Sequence, residues 1–219
     1  MEFSEVIEKY GIDIKKLEEE QLNLAKQLEL GDKIDFSLVE SFGSIDNSFI
    51  KNKILAAVSV VDKDFEILDQ AYFLDKVRFP YLPGFRAYRE LPATVEAFNK
   101  LAYKPDVVFV SGEGITHPRL GIASHLGILI GVPTIGIANS VKDCEVKGED
   151  VYRDGKKVGK VLHVKPESRP LYVSPGNGIS IETAYKLAKD YVKLPHKLPE
   201  PMHISGKYGR AVKKELGLK

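Results

Sequence analysis

Three short stretches hold the side chains whose types and spacing could do chemistry. Asp46 closes the otherwise uncharged segment Ser41-Phe42-Gly43-Ser44-Ile45. Strand alternation puts it on the face of Ser44 and Ser48, where a carboxylate is costly unless paired or metal-bound. Taken alone, it reads as a turn-capping aspartate at a strand end. Glu90 follows Arg89 just after a proline loop, and alone it is an ordinary acid near a helix N-terminus. Ser111-Gly112-Glu113-Gly114, followed by His117-Pro118-Arg119, is the most informative stretch. Backbone amides at a glycine-rich strand end can approach a base or phosphate closely. The glycine spacing is not a dinucleotide fingerprint. Phe109 stands where a nucleophile elbow on Ser111 would need glycine. His117 and His125 are eight residues apart, unlike a zinc-protease pair.

The elements that must position these residues follow from periodicity. Residues 3–29 carry helical spacing broken near Gly11, giving one or two helices. Phe36 to Phe49, Lys53 to Val61 and Phe65 to Leu74 read as three strands with short links, an antiparallel meander. Pro80-Tyr81-Leu82-Pro83-Gly84 is a stiff loop, and Phe85 to Tyr103 returns to helical spacing. Val107 to Val110, residues 120–131 and Thr134 to Ala138 read as strand, helix and strand, a parallel crossover. Asp154-Gly155 marks a hairpin, Leu171 to Val173 a strand and Ile179 to Val192 a helix, with Pro195, Pro199 and Pro201 ending the packed part. The expected fold is one α/β domain with a mixed sheet, antiparallel first and parallel later, and helices on both faces. Residues 1–35 form a helical segment packed on it, where it is expected to cover a sheet edge.

Composition narrows the classes. At 43% hydrophobic and 29% charged, the 219 residues make a globular core rather than a disordered chain. The single Cys144 excludes an internal disulfide and suits a reducing, cytoplasmic setting. No apolar run is long enough for a bilayer, and the acidic start is not a signal peptide. The net charge of +1 neither demands nor excludes nucleic acid. The charge is unevenly placed: acids cluster from Glu2 to Glu40, and bases from Lys193 to Lys219. A basic end of this kind reads first as a solvated helix end.

Together the segments resemble endonuclease V. GSIDNSF (43–49) is similar to the family's first catalytic strand. PYLPGFRAYRE (80–90) is similar to its strand-separating wedge and the helix bearing its catalytic glutamate. SGEGITHPRLGIASHLG (111–127) with VPTIGIANS (132–140) resembles the base pocket, and YVSPGNGIS (172–180) with KLPEP (197–201) the closing motifs. The resemblance implies a ribonuclease H-like fold that binds DNA or RNA and cuts 3′ of inosine, with Mg²⁺ or, as substitute, Mn²⁺. It implies no membrane partner, and we expect a monomer. It assigns Asp46 and Glu90 to the catalytic, metal-holding acids. The wedge maps to Pro80, Tyr81, Leu82, Pro83 and Gly84. Gly112, Gly114 and Gly136 would let the backbone read a flipped base, His117 would line that pocket or cap the next helix, Arg86 would stack on a base, bind phosphate or block inosine, and Arg89, Arg119 and the basic end would hold the backbone.

The chain departs from the pattern at the centre. Ser111 stands at the third acidic position, Asn139 at the active-site lysine, Asn177 at a usual histidine and Arg86 at an aliphatic pocket position. A C-terminal His or Asp position falls on Gly206 or on His203. A hydroxyl is a weaker Mg²⁺ ligand than a carboxylate. The expectation is therefore an eroded metal centre with recognition retained, unless Glu113, two residues from Ser111, supplies the missing acid. The alternatives are a working metal-dependent inosine endonuclease of DNA repair and an interaction protein that has kept only the fold. His125 is expected to be a satisfied packing residue.

Overall fold

A computed structural model describes residues 3–218; Glu2 and Lys219, counted above in the acidic and basic ends, lie outside them. Two helices come first, α1 (Phe3–Tyr10) and α2 (Ile14–Ala25). Asp13 caps α2, its side chain accepting from the Lys16 N–H at 3.1 Å. The meander follows as β1 (Ser41–Ile50), β2 (Lys53–Asp62) and β3 (Ile67–Lys76). β1 starts at Ser41, so residues 36–40 are not strand. β2, read as KILAAVSVVD, is buried along nearly its whole length, the pattern of a strand covered on both faces.

Next come α3 (Arg86–Asn99), β4 (Val107–Ser111), α4 (Ile122–Ile130) and β5 (Thr134–Ala138). The small strand β6 (Glu145–Lys147), unseen in the sequence, precedes β7 (Asp150–Arg153), β8 (Lys156–Leu162), β9 (Leu171–Asn177) and α5 (Ile181–Asp190). α6 (Glu200–Glu215) closes the chain. It corrects the expectation that the prolines end the packed part. Glu200-Pro201 starts this helix, where proline's missing N–H costs nothing. Met202, Ser205, Gly206, Gly209 and Val212 are buried, and α6 lies across β1 and β2.

All nine strands form one sheet in the order β3-β2-β1-β4-β5-β9-β8-β7-β6. Only β1, β4 and β5 are mutually parallel. From β9 outward the pairing is antiparallel again, so the parallel part is the centre of the sheet and not its second half. Val108 and Val110 of β4 face the core built with α3 and α4, whereas Val107 and Phe109 face that built with α5 and Met202 of α6. α2 packs on α4 and the proline loop instead of covering a sheet edge.

The crossover is closed by glycines in contact with backbone. A Cβ on Gly114 would lie 1.9 Å from the Pro175 carbonyl oxygen, and one on Gly136 2.5 Å from the Gly114 nitrogen. Gly136→Ala is expected to cost about 1–3 kcal/mol of stability, read as a lower denaturant midpoint. An unchanged midpoint would contradict this packing.

Candidate functional site

β4 and β5 end together beside β1, and crevices beyond the carboxyl ends of parallel strands are natural binding places. Ile45 of β1 pairs with Val110 of β4, and Ser111 with Ile137 of β5. Asp46, within β1, therefore stands level with Ser111 and Asn139 at the ends of the two neighbouring strands. β1 runs on to Ile50 after β4 has stopped, which leaves a notch beside Asp46. A cavity of about 70 Å³ lies there, lined by Asp46, Asn47, Arg86, Glu90 and Ser111 among others.

Successive residues of β1 serve opposite faces of the sheet. Asp46 faces α6: a Cβ on Gly209 would sit 2.8 Å from its Oδ2, and one on Gly206 3.9 Å from its Oδ1. The Ser48 hydroxyl donates to Asp46 Oδ2 at 3.2 Å. Asn47 faces α3, its amide donating to Glu90 Oε2 at 3.0 Å and to Thr94 Oγ1 at 3.0 Å. Gly206 is thus the α6 position against Asp46, and it carries no ligand atom. His203 instead stacks on His196, with centroids 3.6 Å apart.

Glu90 is only 4% exposed, and a buried carboxylate needs a partner. Arg86 supplies it from one helical turn earlier. Its Nε donates to Glu90 Oε1 at 2.5 Å and its Nη2 to Oε2 at 3.0 Å, a two-pronged pair. Its Nη1 donates to the Ser111 carbonyl at 2.9 Å. The guanidinium therefore bridges the start of α3 and the end of β4.

A Mg²⁺ or Mn²⁺ ion would need several free oxygen donors in this place. Both Glu90 oxygens are taken by Arg86, position 111 is an exposed serine, and Gly206 offers nothing. Glu113 does not fill the gap: it lines the adjoining, larger cleft and not the cavity that holds Asp46 and Glu90. Burial raises its carboxyl above the usual range, against the lowering pull of Arg153, Lys142 and Arg86. Among the described residues, no three His, Cys, Asp or Glu side chains gather so as to hold a metal. The residues present do not fit the metal that the resemblance implied.

The larger cleft, of about 500 Å³, runs from the proline loop to the end of β5. Tyr81 stands 68% exposed at the loop tip, while Leu82 is buried and anchors the loop. Arg89 braces it from behind, donating to the Phe79 carbonyl at 3.0 Å with its guanidinium over Phe49. Asn139, Lys142 and His117 line the cleft. Three expected contact residues are buried, and a fourth is committed to partners within the chain. Leu82, Gly114 and Gly136 are buried in packing. Arg119 pairs with Glu18 at 3.0 Å, and its Nε donates to Gln21 Oε1 at 2.7 Å. Gly112 does reach the cleft, and its φ of 141° requires glycine. Asn177 is structural, its Oδ1 accepting from the Glu29 N–H at 2.8 Å.

The sequence reading passed over Lys142, three residues beyond the missing lysine, and the pairing of Arg86 with Glu90. The i,i+4 spacing was the available signal for that pair.

The chain can now be set beside known proteins. The endonuclease V family model matches residues 22–207. The chain belongs to the endonuclease V family. An endonuclease V of Thermosipho melanesiensis is 35% identical over 222 residues, covering 96% of this chain and 93% of that protein. The crystal structure of the Bacillus subtilis endonuclease V superposes with a TM-score of 0.85 at 25% identity, covering 95% of each chain. That of Ciona intestinalis endonuclease V, in complex with a DNA containing an inosine followed by a ribo-adenosine, superposes with a TM-score of 0.81 at 25% identity, covering 93% of this chain and 98% of that one. The mixed sheet with helices on both faces is the ribonuclease H-like fold of this family.

Two histidines near the site are held neutral. Burial lowers His125 to about 4, and burial with the Arg119 and Arg153 charges lowers His117 to about 4. His125 is not the satisfied residue expected: its Nδ1 is buried and lacks a hydrogen-bond partner among the described residues, the ring meeting Tyr88 edge-on. Between an unfolded value near 6.5 and about 4, the unfolded chain binds more protons than the folded one. Stability is then full above pH 6.5 and falls as pH drops toward 4, by roughly 3 kcal/mol for His125. The denaturant midpoint should fall on acidification below about pH 6.5, and His125→Leu should flatten that slope. An unaltered slope in His125→Leu would refute the assignment.

Proposed function

We propose that this endonuclease V-like protein recognises inosine-containing or irregular DNA or RNA, and that phosphodiester cleavage is weak or lost. The carrying observation is Arg86, whose guanidinium holds both oxygens of Glu90 and the Ser111 carbonyl. A fixed cation beside the two remaining acids repels a second one and removes the donors it would use. Recognition rests on the cleft. Tyr81 offers an exposed ring at the tip of a braced loop, of the sort that wedges between bases. Gly112 gives backbone access, and Lys142 a positive charge. The Ciona relative, crystallised with inosine-containing DNA, supports the same ligand class here. The single free Cys144 fits a reducing, cytoplasmic setting.

A second reading keeps nicking activity, because Asp46 and Glu90 still line one cavity. The two readings separate in one assay. Wild type, Asp46→Ala, Ser111→Asp and Arg86→Leu/Ser111→Asp are incubated with labelled inosine-containing strands in Mg²⁺ and in Mn²⁺, with binding measured in parallel. Wild type should bind without metal-dependent nicking. The double variant should gain Mn²⁺-dependent thermal stabilisation, about 2.7 kcal/mol at a hundred times Kd. Metal-dependent nicking by wild type that Asp46→Ala abolishes would overturn the proposal in favour of the second reading.

A further inference from the structure

A second groove, of about 550 Å³, opens where the β1–β2 turn meets the last turns of α6. Lys51 lines it from the turn, and Arg210, Lys213 and Lys214 from the helix; among the described residues no carboxylate lines it. These four cations make no ion pair among the described residues. The contrast with the rest of the molecule is sharp. Arg86 and Arg119, expected to meet ligand, are paired with carboxylates, as are Lys157 and Lys160. Phe49 forms part of the groove wall and is 41% exposed. Arg89 holds its ring, the guanidinium carbon lying 4.4 Å from the centroid.

The groove adjoins the acidic centre. Arg210 Nη1 lies 3.4 Å from where a Cβ on Gly206 would stand, and that Cβ would lie 3.9 Å from Asp46 Oδ1. On the other side of Asp46, Arg86 and Ser111 line both the small cavity and the large cleft. Cleft and cavity thus adjoin through shared residues, and Arg210 brings the groove close to the far side of Asp46. From Arg210 to Lys214 the helix rises about 6 Å, so the cations are spread along the groove and not gathered at one point. Unpaired cations beside an exposed ring are the usual means of tracking a single strand, by phosphate attraction and base stacking.

We propose that this groove binds the phosphate backbone of a single-stranded segment of the same nucleic acid whose irregular base enters the cleft. The proposal rests on the nucleic-acid reading above and adds an exit path on the far side of Asp46. It also gives the basic end of the chain a use other than solvation.

The test measures fluorescence anisotropy of a labelled, inosine-containing DNA single strand of about 20 nucleotides, across a salt series. The full-length variants are Arg210→Gln/Lys213→Gln/Lys214→Gln, the charge-retaining Lys213→Arg/Lys214→Arg, and Tyr81→Ala for the cleft, all checked by thermal melting. The triple glutamine variant should bind roughly tenfold more weakly at low salt, with the log–log salt slope reduced by about 2. The arginine pair should bind as wild type does. Binding by the triple variant within about twofold of wild type, with loss in Tyr81→Ala, would overturn the groove and leave the cleft reading standing. Loss in the triple variant with none in Tyr81→Ala would uphold the groove and overturn the cleft. No binding by wild type at low salt would overturn both.

Discussion

A carboxylate buried beside the sheet must have a cation, and much of this site follows from how Glu90 obtains one. Glu90 is fixed by α3 and closed in by Asn47 and Thr94. Removing its partner would leave an uncompensated charge, which costs several kcal/mol. Here the partner is covalently part of the chain, one turn away on the same helix. The guanidinium also fastens α3 to β4 through the Ser111 carbonyl. A serine at position 111 is compatible with that arrangement, because the bond is to its backbone. A guanidinium at the centre and a serine at position 111 are therefore mutually compatible in this chain.

The fold was largely legible because its signals are local. Asp154-Gly155 sits between short strands and makes the hairpin, and the apolar run of β2 becomes a covered central strand. The motif order placed Asp46, Glu90 and Ser111 around one notch. What was not legible depends on distant partners. Nothing near Arg119 announces that Glu18 and Gln21, about a hundred residues earlier in the chain, will take its guanidinium. Gly114 and Gly136 looked open to a ligand, yet each meets backbone. Pro199 and Pro201 looked like an ending because proline both terminates and begins helices. The Gly206 and Gly209 pair, three apart, was the clue that α6 approaches the sheet closely.

The acidic N-terminal helices acquire a role from the same long-range contacts. Gln21 of α2 is fully buried. Its amide nitrogen donates to the Gly84 carbonyl at 3.0 Å, and its amide oxygen accepts from Arg119. Tyr88 reaches back to the Leu17 carbonyl at 3.3 Å. One polar side chain thus satisfies groups on the proline loop and on the turn after His117, two walls of the large cleft.

That arrangement sets the mouth of the cleft from outside it. The loop and the turn are tied to a common post, so they shift together or not at all, and the gap between them is a property of α2. The aperture could then be retuned by exchanging residues of α2, none of which lines the cleft, leaving the lining itself unaltered.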